Sequence, residues 1–275
     1  MDSNAASLLT DFTALRSKKS GLQTWISIGG WSFNDPGNSP DTRAAFGDMT
    51  STAANRATLE YPVADDRGGK KEDKANYVLL VKEMKDAFKG KYGISITLPA
   101  SYWYLQHFDV VGMEPYVSWF NMMTYDIHGV WDSSNRYTGP QVRPHTNLTE
   151  IDVSLSLLWR AGVSAANVVM GLGFYGRSFT LTDPTCTDPG CAFSEGGKAE
   201  ECSNAAGILT AAEIGRIIEE NNLTPSYDEK AAVKWMSWDS NQWVNCTRTT
   251  STLVKLATLA FVARNANLGT FLIHR

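Results

Sequence analysis

The sequence predicts an α/β chain built on a parallel sheet, interrupted late by a smaller segment of different character. Three observations predict it. Short β-branched or apolar runs alternate with amphipathic stretches of helical period, the pattern of parallel strands joined by helices. Between about Gly176 and Lys234 this rhythm breaks into a Cys-, Gly- and Asp-rich segment. The length of 275 residues, with 43% hydrophobic and 20% charged, suffices for one large core or one core with an insertion.

In order, Leu8, Leu9, Phe12 and Leu15 recur at helical spacing and predict a helix over 5–17. Ser20-Gly21 ends the connection, and Leu22 to Gly30 reads as a strand. Phe33 to Thr42 is a loop with the turn chemistry Asn34-Asp35-Pro36-Gly37. Residues 45–55 have helical character, and Ala57 to Tyr61 offers a strand of a few residues. Asn76 to Lys89 reads as a helix with Val78, Val81, Met84 and Phe88 inward. Ile94-Ser95-Ile96-Thr97-Leu98-Pro99 is a β-branched strand. Trp119 to Tyr125 and Val168 to Phe174 are further strands. Between them Thr149-x-x-Asp152 resembles a capping box and opens a helix to about Arg160. Inside the late segment, Thr210-x-x-Glu213 caps a helix carrying Ile214, Ile217 and Ile218. Val233 to Trp238 is expected to return to the main sheet, followed by a helix over 251–265 and a strand over 269–273.

Composition excludes several classes. A net charge of −4 and a pI near 5.6 lack the basic footprint of a nucleic-acid binder. No apolar run reaches the roughly 18 residues of a membrane span. The N-terminus lacks the basic region and apolar core of a signal peptide. Cys186, Cys191 and Cys202 crowd one polar segment, with Cys246 far downstream. Their spacing fits no common zinc pattern, which leaves disulfides in an oxidising compartment. Sequons at Asn147, Asn222 and Asn245 agree with secretion. A lost N-terminal piece would reconcile these features with the absent leader. The nine tryptophans serve either core packing or stacking on the apolar faces of sugar rings.

Three stretches carry chemistry. Glu60 sits in Leu59-Glu60-Tyr61-Pro62, before the loop Val63-Ala64-Asp65-Asp66-Arg67-Gly68-Gly69. A strand ending there presents its carboxylate at the C-terminal tip, where catalytic groups of (β/α) barrels sit. Thr24 to Phe33 contains Ser27-Ile28-Gly29-Gly30-Trp31. Asn121 to Trp131 contains Met123-Thr124-Tyr125-Asp126. Asp126 with His128 lacks a third ligand at metal-binding spacing, and the four histidines form no zinc pattern.

Together these stretches resemble glycoside hydrolase family 18 chitinases of the fungal class V type. Ser27 to Gly30 matches the family's SxGG strand, Met123 to Asp126 its MTYD strand, and Glu60 to Pro62 its Glu-Tyr-Pro. The resemblance covers nearly the whole chain. It implies a TIM (β/α)8-type barrel with a small α+β insertion before the last strand. Residues 1–175 and 233–275 would form the barrel and 176–232 the insertion. The first two strands would lie upstream of Met1, so the barrel is expected to be incomplete. The implied partner is chitin or N-acetylglucosamine oligomers, with no nucleic acid and no membrane. The implied state is an extracellular monomer that needs no cofactor or metal.

The implied chemistry is retaining hydrolysis in which the substrate's own N-acetyl group is the nucleophile. Glu60 would protonate the glycosidic oxygen. Tyr125 would donate to the acetamido carbonyl, with Asp126 holding nearby donors or the sugar. Met123 would floor the pocket, and Trp31, Trp131, Tyr175 and Arg177 would line the cleft. The family's acidic signature DxxDxDxE keeps only Glu60. Thr58, Arg56 and Ala53 stand where aspartates belong. About twenty residues, a helix plus a strand, are expected to be missing before Leu59. Activity is therefore expected to be much reduced or lost. The alternatives are a non-catalytic binder of chitin oligomers and a non-functional truncated product.

Overall fold

A computed structural model describes residues 3–30, 48, 51–52, 71–246 and 271–274. The chain divides into two units, Met1–Asp73 and Lys74–Arg275. In the first, helix α1 (Ser3–Ala14) runs into a 3-10 turn over Leu15–Lys18, close to the expected helix. The strand expected over Leu22 to Gly30 does not form, and Ile26 and Ile28 lie exposed. A strand exists only where a neighbour takes its backbone hydrogen bonds, and this unit's described residues contain no strand. The elements expected over 33–42, 45–55, 57–61 and 251–265 fall outside the described residues, apart from positions 48 and 51–52.

The second unit holds two sheets. The parallel sheet has the order β1 (Ser95–Pro99), β2 (Trp119–Met123), β3 (Val168–Gly173), β10 (Phe271–His274). Its registers pair Ser95 with Trp119, Phe120 with Val168 and Met170 with Phe271. Among the described residues it has these four strands and does not close. Ile96, Leu98, Phe120 and Met122 are buried, and all of β3 is buried, as for a parallel strand covered on both faces. Helix α2 (Asp73–Phe88) buries Tyr77, Leu80 and Val81; Val78, Met84 and Phe88 are only half-buried. The buried stripe is thus set one residue round from the expected one. Two short helices, α3 (Tyr102–Leu105) and α4 (Val110–Met113), link β1 to β2.

β2 stops before Tyr125. The Thr124 N–H turns back to the Met122 carbonyl, and Asp126 takes the left-handed φ of 57°. Helix α5 (Leu148–Ala161) begins earlier than expected. Its N-cap is Asn147, whose Oδ1 accepts from the Thr149 N–H at 3.0 Å and the Thr149 hydroxyl at 2.7 Å. Asparagine outranks threonine as a cap, so the Thr149-x-x-Asp152 box is not used.

The antiparallel sheet has the order β5 (Phe193–Gly196), β4 (Tyr175–Leu181), β9 (Gln242–Cys246), β8 (Val233–Trp238), β7 (Ser226–Asp228), with β6 (Ile208–Thr210) also on β4. Val233 to Trp238 was expected in the main sheet. It pairs instead with β7 and β9, because the hairpin turn at Asp239-Ser240 brings β9 directly back beside it. Helix α6 (Ala211–Glu220) has the expected capping box: Thr210 Oγ1 accepts from the Glu213 N–H, and Glu213 Oε2 accepts from the Thr210 N–H at 2.7 Å. The sheet is buried on both faces. Leu209, Ile214, Ile217, Met236 and Val244 pack on the α6 side, and Val142, Phe179, Phe193 and Trp243 on the other. Neighbours Trp243 and Val244 divide between these clusters, as strand alternation requires. The Cys186–Cys191 disulfide closes the loop whose Thr187 carbonyl accepts from the Trp243 indole at 2.9 Å. Cys202 and Cys246 are not disulfide-bonded.

Candidate active site

The site forms where the parallel sheet hands the chain to the antiparallel one. Tyr125 and Asp126 follow β2, Tyr175 opens β4, and Arg177 follows two residues later on the same strand face. Glycines of β3 make room for the rings. A Cβ on Gly171 would stand 2.9 Å from the Tyr125 ring, and one on Gly173 would stand 3.2 Å from Tyr175 and 3.3 Å from His145. The rings of Tyr125 and Tyr175 meet edge-on at 6.2 Å.

Arg177 grips Asp126 with both ends of its fork: Nε donates to Oδ1 at 2.8 Å, and Nη2 lies 2.7 Å from Oδ2. Its guanidinium also lies over Trp131, 4.8 Å from the ring centroid, and 5.6 Å from that of Tyr175. Burial works against the charge of Asp126, but its contacts with His145 and Arg177 prevail and hold the carboxyl well below its usual range. The imidazole itself is neutral. The Asp126 N–H donates to His145 Nδ1 at 3.2 Å, so the ring's proton sits on Nε2 and donates to the Tyr175 carbonyl at 3.1 Å. Complete burial pushes the His145 pKa down and keeps that tautomer neutral. Burial first, and Asp126 second, push the Tyr125 hydroxyl up to about 12, so it remains a donor at any physiological pH. The same two influences raise Tyr175.

Asn245 ties the arrangement together from β9. Fully buried, it accepts from the His145 N–H at 3.0 Å and donates to the Arg177 carbonyl at 3.1 Å. This sequon asparagine is therefore a structural cross-link whose amide is inaccessible in the folded chain. Trp131 projects outward, 43% exposed. A Cβ on Gly129 would fall 2.3 Å from its ring, so only glycine lets the indole fold back there.

Of the sequence-predicted residues, the structure brings together Tyr125, Asp126, Trp131, Tyr175 and Arg177. Met123 is the last residue of β2, half-buried. Glu60 and Trp31 lie outside the described residues. His145 and Asn245 were missed as site residues: His145 lies in no motif or periodic run, Asn245 was read only as a sequon, and only the tertiary fold brings them beside Asp126. Among the described residues, no group of three His, Cys, Asp or Glu side chains is placed to hold a metal.

Residues 1–275 match the family model of the glycosyl hydrolases family 18. The chain belongs to that family. Among its family 18 relatives, it is 41% identical over 175 residues to the probable chitinase LysM11 of Penicillium expansum, covering 58% of this chain and 16% of that one. It is 32% identical over 263 residues to the secreted chitinase LysM12 of the same organism, covering 82% and 17%. The chain thus spans about a sixth of the length of these curated relatives. Among solved structures, it is similar to the Ostrinia furnacalis Group IV chitinase in complex with allosamidin, with a TM-score of 0.81 at 22% identity, covering 100% of this chain and 79% of that one. It is also similar to a class V chitinase from Nicotiana tobaccum, at a TM-score of 0.79 and 16% identity, covering 99% and 81%. The likeness establishes a TIM-barrel-like α/β fold.

Proposed function

We propose that this family 18 chain binds N-acetylglucosamine oligomers of chitin and cleaves their β-1,4 links slowly, by retaining, substrate-assisted hydrolysis. The observation that carries the reading is the arrangement at the end of β2. The Tyr125 hydroxyl is kept protonated beside a carboxylate that Arg177 holds ionised and oriented. A protonated phenol can donate to the acetamido carbonyl as it attacks the anomeric carbon. An oriented Asp126 carboxylate can balance the positive charge that develops on the resulting oxazolinium. Trp131 and Tyr175 offer aromatic faces to sugar rings, and Met123 lies at the end of the strand that leads to them; Trp31 is proposed as a further sugar-stacking residue. Glu60 is the general acid that protonates the leaving oxygen.

The rate is low because the surroundings of Glu60 are depleted. Thr58, Arg56 and Ala53 replace the signature aspartates, and the sequence before Leu59 is about twenty residues shorter than the family pattern, the length of a helix plus a strand. Losing one preorganised electrostatic group costs about 10²–10³ in rate, and a poorly placed acid about 10²–10⁴ more. The same depletion favours a second reading, a chitin-oligomer binder without turnover. The protein acts outside the cell as a monomer; its similarity to LysM12, a secreted chitinase, supports the first part.

Incubation with an N-acetylglucosamine tetramer tests the reading. The wild type releases shorter sugars, and Glu60→Gln binds the tetramer without releasing any. Binding without release by the wild type favours the binder. A wild-type rate unaltered by Glu60→Gln removes Glu60 from the mechanism.

A further inference from the structure

Beyond the Asp126 cluster lies a second buried group that the proposed chemistry does not use. His128 is almost fully buried in the loop after β2, with a carboxylate on each ring nitrogen. Nδ1 is 2.7 Å from Asp132 Oδ2, and Nε2 is 2.9 Å from Glu150 Oε1. Only the doubly protonated ring can donate to both.

The partners come from different elements. Asp132 lies in the 3-10 turn Val130–Ser134, which also carries Trp131. Glu150 lies in the first turn of α5, where the helix dipole favours a negative charge. His128 therefore fastens the Trp131 turn to a long helix from within. The exposed indole is constrained on its other sides by the Gly129 backbone beneath it and by the Arg177 guanidinium 4.8 Å from its centroid. Its orientation then depends on where the turn is pinned.

We propose that His128 is a positioning residue: by bridging Asp132 and Glu150 it anchors the turn that holds the Trp131 indole over Arg177, and so sets the aromatic wall against which a sugar stacks. The consequence for sugar rests on the reading of the site given above, whereas the placement of the indole does not. Burial opposes the charge on the ring, but the two carboxylates outweigh it and keep the imidazolium up to about pH 9. Asp132, from the same loop, and Glu150, from α5, are the charged groups that face it. Above that pH one nitrogen loses its proton, one carboxylate then faces a lone pair, and the anchor releases.

The test reads the indole directly. The emission of Trp131 is obtained as the difference between the wild type and Trp131→Phe, without sugar, from pH 6 to 10.5. The expected result is a titration near pH 9 in the wild type that is absent in His128→Gln, which shows the high-pH signal throughout. Glu150→Gln, which keeps the ring and its Asp132 contact, should move the titration to lower pH, and it serves if His128→Gln fails to fold. In parallel, the affinity for the tetramer at pH 7 should fall roughly threefold to tenfold in His128→Gln, the range of one misplaced aromatic contact. An unchanged Trp131 titration in both variants overturns the proposal. If the wild type binds no tetramer, the sugar reading fails, and the emission titration still decides whether His128 positions Trp131.

Discussion

Two buried imidazoles follow β2 within one loop excursion, and they carry opposite charge states. His145 is fully buried and neutral, with the Asp126 N–H on one nitrogen and the Tyr175 carbonyl on the other. His128 is nearly as buried, yet it faces a carboxylate on each side and is an imidazolium. Burial alone pushes both toward neutrality; the partners decide. A neutral spacer suits a site in which Arg177 must pair with Asp126 undiluted by a second cation. A charged rivet suits a loop that must be tied to a helix.

The first way to break the comparison is to remove the neutral ring. His145→Ala leaves a backbone donor and acceptor unpaired beside a cavity, which should cost about 3–5 kcal/mol in chemical denaturation. That cost should be the same at pH 7 and pH 9; a cost that shrinks between them would mean the ring is charged. The wild-type pH dependence has the matching sign. Because the folded pKa of His145 lies below 6.5, its contribution is complete above that value and erodes as pH falls.

Next in size is His128→Gln, with the opposite dependence. The folded pKa is raised from 6.5 to about 9, so the stabilisation is complete below about 6.5 and lost as pH rises through 9. Glu150 is 38% exposed and solvent screens its share. We therefore expect about 2 kcal/mol at pH 6, shrinking to near zero at pH 10, by urea denaturation. A pH-independent difference would make His128 a packing residue. Asp126→Asn sharpens the other side: with the carboxylate 34% exposed, about 1–2 kcal/mol should be lost, and the loss should vanish in an Arg177→Met background. The smallest effect is expected far from both rings. Opening the Cys186–Cys191 loop by replacing both with Ser should cost at most about 2 kcal/mol, since the loop it closes is short, and should move neither histidine's titration.

The sequence is most legible where local rules suffice. The capping box at Thr210 and Glu213, the apolar run of β3, and the strand before Tyr125 follow from period and cap chemistry. Val233 to Trp238 reads as well as a strand of one sheet as of the other, because its composition says nothing about its neighbours. The stripe of α2 moved by one residue because Tyr77 and Leu80 pack as well as the aliphatic residues that helical spacing picks out. In the site, Tyr125, Asp126 and Arg177 were readable through linked motifs. His145 and Asn245 were not, since a residue whose whole role is to satisfy groups distant in sequence leaves no local trace. His128 could be seen only as half of a metal site; of its two carboxylate partners Asp132 is near in sequence, but Glu150 lies on another element.

The most direct test of the central claim, that the Tyr125 cluster handles the acetamido group, is the rate of tetramer cleavage before and after Tyr125→Phe, with retention on chitin measured alongside. Removing one hydroxyl that acts on the transition state should lower the rate by about 10²–10³ and leave retention nearly intact. Equal rates in the two proteins would contradict the account.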